Sequence, residues 1–145
     1  MRTRTGLILL ALIYLVVTPE SFAAETPKPN EQRVRDYVSA FNEREIDTML
    51  GMVSDDIQWL TVTGDKIVVE TQGKPQLRES MAAYFKSTPS AKSELQWVQG
   101  SAQRVAALER ASYQSKSGPR SQASLCVYEL RDGLISRVYY YPVEK

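Results

Sequence analysis

The chain contains no histidine, so the commonest general base and the commonest zinc ligand are both missing. It contains one cysteine, Cys126, which excludes an intrachain disulfide and a cysteine-built metal site. Neither sign of charge dominates: 18 Lys and Arg stand against 17 Asp and Glu, a formal charge of +1. That balance offers neither the basic footprint of a nucleic-acid binder nor an acidic tail. Glycine and proline occur seven times each, too few for a collagen-like or low-complexity chain. The remainder is globular in composition, 43% hydrophobic and 24% charged, and 145 residues are enough for one domain. No metal, no cofactor and no nucleic-acid partner are expected.

Only one long apolar run exists, Leu7 to Val17 (LILLALIYLVV). It follows Arg2 and Arg4, and it precedes Pro19 and the small residues of Ser21-Phe22-Ala23-Ala24. Charged, apolar and small-residue regions in that order are the pattern of a secretory signal. The run is about half of the roughly 20 residues that a bilayer requires. Residues 1–23 are therefore expected to be a cleaved signal, with export to a periplasm or the medium and no membrane anchor thereafter. Their removal takes away Arg2, Arg4 and Glu20, leaving 16 basic and 16 acidic side chains in 122 residues. Cys126 lies in the apolar stretch Ser124-Leu125-Cys126-Val127-Tyr128 and reads as a small buried hydrophobe.

Residues 24–30, with Pro27 and Pro29, read as a flexible leader, and residues 31–145 as the domain. Val34, Tyr37, Val38 and Phe41 follow the i, i+3, i+4, i+7 rule of an amphipathic helix. Ile46, Met49, Leu50 and Val53 repeat it in a shorter helix, after which Asp55-Asp56 reads as a solvated exit. Ile57–Thr63 and Lys66–Gln72 are β-rich and flank Gly64-Asp65, a glycine-first loop that suits a type II′ hairpin. Gly73-Lys74-Pro75 opens a third helix with the stripe Leu77, Met81, Tyr84 and Phe85. Four strands are expected after it, over 94–101, 105–115, 122–131 and 134–141. Asp132-Gly133 joins the last two. Helices segregated from an antiparallel sheet make an α+β fold.

With that order established, DYVSAFNEREIDTMLGMVSDDIQW, GKPQLRESMAAYF and RDGLISRVYYY resemble the SnoaL-like branch of the nuclear transport factor 2-like superfamily. The resemblance spans about Glu31 to Tyr141. It implies three helices on one strongly curved antiparallel sheet, forming a cone with an interior pocket, and dimerisation through the outer sheet face. It also implies a comparison with ketosteroid isomerases, where a carboxylate moves a proton while a tyrosine and a neutral aspartic acid stabilise the enolate oxygen. The oxyanion tyrosine falls on Tyr37, the base on Thr61, and the oxyanion acid at or beside Cys126. Threonine cannot act as that base near neutral pH. The aspartate that ends the last strand of many members is replaced by the stretch Tyr141-Pro142-Val143. Glu109 and Arg110 are adjacent on a strand and face opposite ways. Glu129 and Arg137 are placed to meet across the final hairpin. No catalytic set is expected from these residues.

The expected ligand-binding residues are Tyr37, Trp59, Thr61, Met81, Cys126 and Tyr128. Trp59 and Thr61 share one strand face and Ser124, Cys126 and Tyr128 another. By the resemblance, both faces look into the cone, with Tyr37 and Met81 approaching from the helices. Such a lining suits a small apolar or aromatic molecule, and it also suits a filled core. A non-catalytic exported binding module, probed against two alternatives, is the reading that emerges. The alternatives are an isomerase, lyase or hydrolase of unidentified substrate and a scaffold that docks an envelope protein. Both faces of the last strand are rich in apolar and aromatic residues, as a homodimer interface would be.

Overall fold

The computed structural model describes residues 28–142. The expected signal, the start of the leader and the last three residues lie outside the described residues. The elements run α1 (Pro29–Glu43), α2 (Ile46–Gly51), β1 (Val53–Thr63), β2 (Lys66–Gln72), α3 (Gly73–Ser87), β3 (Lys92–Gly100), β4 (Arg104–Ser115), β5 (Gly118–Arg131) and β6 (Leu134–Tyr141). One six-stranded sheet has the order β2-β1-β6-β5-β4-β3. Three helices pack on this curved, open, mostly antiparallel sheet, the α+β architecture expected. One pairing departs from the expectation. β1 and β6 are parallel neighbours, because α3 and the β3–β5 meander carry the chain round before β6 returns to the middle of the sheet.

The core lies between the helices and the inner sheet face. Val34 and Tyr37 of α1, Met49 of α2 and Leu77 of α3 are buried against Val105, Ala107, Cys126, Tyr128, Ile135 and Val138. Phe41, Ile46, Met81 and Phe85, also expected inside, are only partly buried against that cluster. No described helix is long and apolar enough to cross a membrane.

The strands β3 and β4 shift by one or two residues from the sequence reading, and the larger boundary differences have identifiable reasons. Helix α1 begins at Pro29, two residues early, since proline needs no partner for an N–H it lacks at a first-turn position. The end of the supposed leader is also tethered: Asn30 Nδ2 donates to the Ala102 carbonyl at 2.9 Å and Lys28 Nζ to that of Gly100 at 3.3 Å. Helix α2 stops at Gly51, and Val53 opens β1 opposite Ile135. A four-residue apolar pattern fits a helix end and a strand start equally well. Asp55 and Asp56 therefore belong to a strand, where they are exposed and separately ion-paired, with Lys74 at 2.9 Å and Arg131 at 2.6 Å. Finally, β5 begins at Gly118 because it pairs with β4 as far as Ser115.

The hairpin turns follow their glycines. Gly64 has φ +59° while Asp65 stays negative, and Asp132 and Gly133 are both left-handed at +54° and +74°. Strict alternation along β6 fails, however. A register shift between Glu129 and Leu130 turns both Ile135 and Val138 inward, so the two faces are not the alternating sets that period two gives.

Gly100 ends β3 beneath the first turn of α1. Its N–H donates to Glu31 Oε1 at 2.7 Å, and a Cβ there would lie 2.6 Å from Glu31 Cγ. Gly100→Ala should destabilise the domain by about 1–3 kcal/mol, seen as a lower urea midpoint at unchanged slope. A wild-type midpoint would show that Glu31 swings away without loss.

Candidate functional site

Alternate residues of β1, β4 and β5 point inward, and α1 and α3 close over them around a cavity of about 310 Å³. That volume is at the lower end of small-molecule sites, about 300–1,000 Å³. Of the residues expected there, Tyr37, Trp59, Thr61, Met81 and Tyr128 line it. Cys126 does not: its side chain is fully buried behind the wall. The aromatic part of the lining is larger than expected, because Phe41, Tyr84 and Tyr140 join it. Phe41, Tyr84 and Phe85 form one cluster with centroid separations of 5.1–6.2 Å. The Arg44 guanidinium sits 4.6 Å from the Phe85 centroid.

The sequence reading left the cavity without an acid; Glu109 supplies one. It occupies β4 between Leu95 of β3 and Ser124 of β5, on the same inner face as Val105 and Ala107. Its Oε1 accepts a hydrogen bond from Ser93 Oγ. Its Oε2 accepts from Tyr128 Oη at 3.0 Å and from Cys126 Sγ at 3.5 Å. Three neutral donors thus converge on one carboxylate. Nearby, Ser124 Oγ and Gln122 Nε2 donate to Tyr140 Oη at 2.7 and 3.0 Å. The missed signal was the alternation Val105, Ala107, Glu109. It was masked because Ala106 and Leu108 make the opposite face apolar as well.

Electrostatics keep the donors protonated. Burial pushes the Tyr37 and Tyr128 hydroxyls and the Cys126 thiol above their usual values, and the Glu109 charge adds to each shift. Tyr37 and Cys126 therefore present neither a phenolate nor a reactive thiolate near neutral pH. Among the described residues no group of three His, Cys, Asp or Glu side chains converges as a metal site.

A larger cleft, about 700 Å³, is polar and is lined by Arg104, Arg131, Arg137, Asp56 and Glu129. Its charges satisfy one another. Glu129 pairs with Arg104 at 3.1 Å and, across the hairpin as expected, with Arg137 at 3.5 Å. The Arg131 guanidinium, helped by the Ser54 hydroxyl, holds Asp56 down to about 2. Exposed pairs of this kind contribute little in water, so size does not make this cleft the better candidate. The smaller cavity holds the buried chemistry.

Groups whose folded-state pKa is raised stabilise the fold fully below their unfolded pKa. They lose that contribution as pH rises, since the unfolded chain releases protons that the native state retains. Stability should therefore fall progressively above the ordinary values of 9.0 for the thiol and 10.0 for the phenols. Phenolate absorbance at 295 nm in the native protein should lag the denatured protein by at least the contributions of Tyr37 and Tyr128 until unfolding. Cys126 should resist a disulfide reagent at pH 8; rapid native reaction would place the thiol outside the core.

The family model for a SnoaL-like domain matches residues 34–138. No curated protein matches the chain. Among solved structures, a cystatin-fold protein from Novosphingobium aromaticivorans aligns with a TM-score of 0.68 at 23% identity, over 79% of this chain and 98% of its own. TerC, co-crystallised with polyporic acid, aligns with a TM-score of 0.68 at 16% identity, over 80% and 92%. A candidate ketosteroid isomerase from Kribbella flavida aligns with a TM-score of 0.66 at 14% identity, over 81% and 79%. At these identities the likeness is one of fold. The matched family and the three helices packed on a curved, open sheet agree, and the chain belongs to the SnoaL-like domain family of the nuclear transport factor 2-like superfamily.

Proposed function

We propose that this protein is an exported, non-catalytic SnoaL-like module that holds a small aromatic or apolar molecule in its cone cavity. The observation that carries this reading is the cavity itself, with Trp59, Phe41, Tyr84 and Tyr140 around its walls. Threonine at position 61 argues against proton abstraction from that wall. Glu109 favours a second reading, an isomerase, lyase or hydrolase in which this carboxylate accepts a proton. Saturable binding without turnover supports the first; turnover lost in Glu109→Gln supports the second.

Export and self-association belong to the same proposal. Trp97, Leu108, Leu125 and Tyr141 are cross-strand neighbours over β3, β4, β5 and β6, and all four are exposed. They form an apolar row on the sheet face that none of the described helices covers, suited to a second copy of the chain. Protein recovered from outside the cytoplasm should begin at Ala24 and sediment as a dimer at micromolar concentration. A chain that begins at Met1 removes the export part, and a monomer removes the dimer.

Trp59 reports on the cavity directly once the exposed Trp97 is replaced by phenylalanine. Titration of that variant with 2-phenylethanol should give a saturable change in indole emission. Trp59→Ala should cost well under the about 3–5 kcal/mol of a tryptophan lost from a filled core and should abolish binding. Unfolding of Trp59→Ala, with no ligand response in the parent, would show a filled core instead.

A further inference from the structure

Glu109 is the one acidic side chain on the cavity wall. Its hydrogen-bond partners, Ser93, Cys126 and Tyr128, are all neutral. Among the described residues none of the ion pairs includes it; those pairs involve Asp47, Asp55, Asp56 and Glu129 instead. The only cation on the cavity lining is Lys92, which is exposed, and its Nζ is engaged with the Asn42 carbonyl at 2.7 Å. Three neutral donors orient a carboxylate and lower the cost of burying it, but they leave its charge uncompensated. In a partly enclosed site such a charge acts on a ligand far more strongly than it would in water.

The rings around it favour the same sign. Trp59, Phe41, Tyr84 and Tyr140 present aromatic surface to the cavity, and the faces of such rings attract cations. The neighbouring Phe41 and Phe85 rings already hold one, Arg44, at 5.8 and 4.6 Å from their centroids. A negative charge at the wall and an aromatic surround make an acidic ligand the least suitable occupant.

We propose that the cavity selects small organic cations: an aromatic or alicyclic body carrying a protonated amine, the ammonium on Glu109 and the body among the rings. This rests on the cavity-binding reading and specifies its ligand class. No bond is made or broken. Glu109 acts as a binding residue for the charge and Trp59 for the body.

The test uses three probes of nearly equal shape that differ in charge: 2-phenylethylamine, 2-phenylethanol and phenylacetate. Each is titrated at pH 7 into the Trp97→Phe protein, with Trp59 emission as the readout. The amine should bind about tenfold more tightly than the alcohol, the scale of one charge interaction of this kind, and phenylacetate should bind least. In a Glu109→Gln background, which retains the side-chain shape, the amine and the alcohol should become equal within about twofold. If that variant fails to fold, the order of the three probes on the parent protein still decides. The alcohol or the acid binding as tightly as the amine overturns the proposal and leaves the cavity reading intact. An amine preference that survives Glu109→Gln also overturns it. No response to any probe overturns both.

Discussion

A carboxylate on the inner face of a sheet must find hydrogen-bond donors or raise the energy of the fold, and Glu109 sets that condition here. Its donors come from both neighbouring strands, Ser93 from β3 and Cys126 and Tyr128 from β5. A slip of one residue in either pairing would turn those donors to the opposite face and strand the charge. The register of β3, β4 and β5 and the chemistry of the cavity are thus one constraint. The same charge helps to hold the Tyr37 and Tyr128 hydroxyls in their protonated form. The cavity consequently presents a fixed acceptor ringed by donors that stay neutral.

Helix α1 protects the edge that this arrangement leaves open. β3 is the last strand of the sheet, and an unpaired edge invites other strands. The Asn42 side chain occupies part of that edge, donating from Nδ2 to the Ser93 carbonyl and accepting the Ser93 N–H at Oδ1, both at 2.8 Å. Glu31 and Lys28 do the same for the N–H and carbonyl of Gly100. Between these contacts, Val34 and Tyr37 enter the core. Ser93 is thereby held by its backbone to α1 while its hydroxyl binds Glu109, so the placement of the helix and the orientation of the acid depend on each other. At the other edge, Ile67, Val68 and Val69 of β2 are exposed.

The two sides of the sheet answer different requirements. Toward the helices, buried Val105, Ala107 and Val138 provide the packing, and Trp59 and Tyr140 stand back enough to leave space. Away from them, Trp97, Leu108, Leu125 and Tyr141 make an exposed row. The register shift in the final hairpin permits this separation. It turns Ile135 and Val138 inward within a single strand and leaves Arg137 outside, bonded to Gln58 and Glu129.

The sequence by itself determined the helices, the hairpins and their order, because a 3.6-residue period and a two-residue period are local properties of the chain. Gly64-Asp65 and Asp132-Gly133 marked two turns for the same local reason. The two-residue period also placed Trp59 with Thr61, and Cys126 with Tyr128, on shared faces, while the family resemblance implied that those faces look inward. The sequence did not determine where α2 yields to β1 at Val53, because the apolar spacing there satisfies both periods. Only the tertiary structure decided the parallel pairing of β1 with β6 and the inward turn at β6, since each depends on a strand remote in sequence. It alone decided the standing of Glu109 as well. On a strand with apolar residues on both faces, the direction of an acid is settled by where its donors lie, and those donors come from strands 16 to 19 residues away.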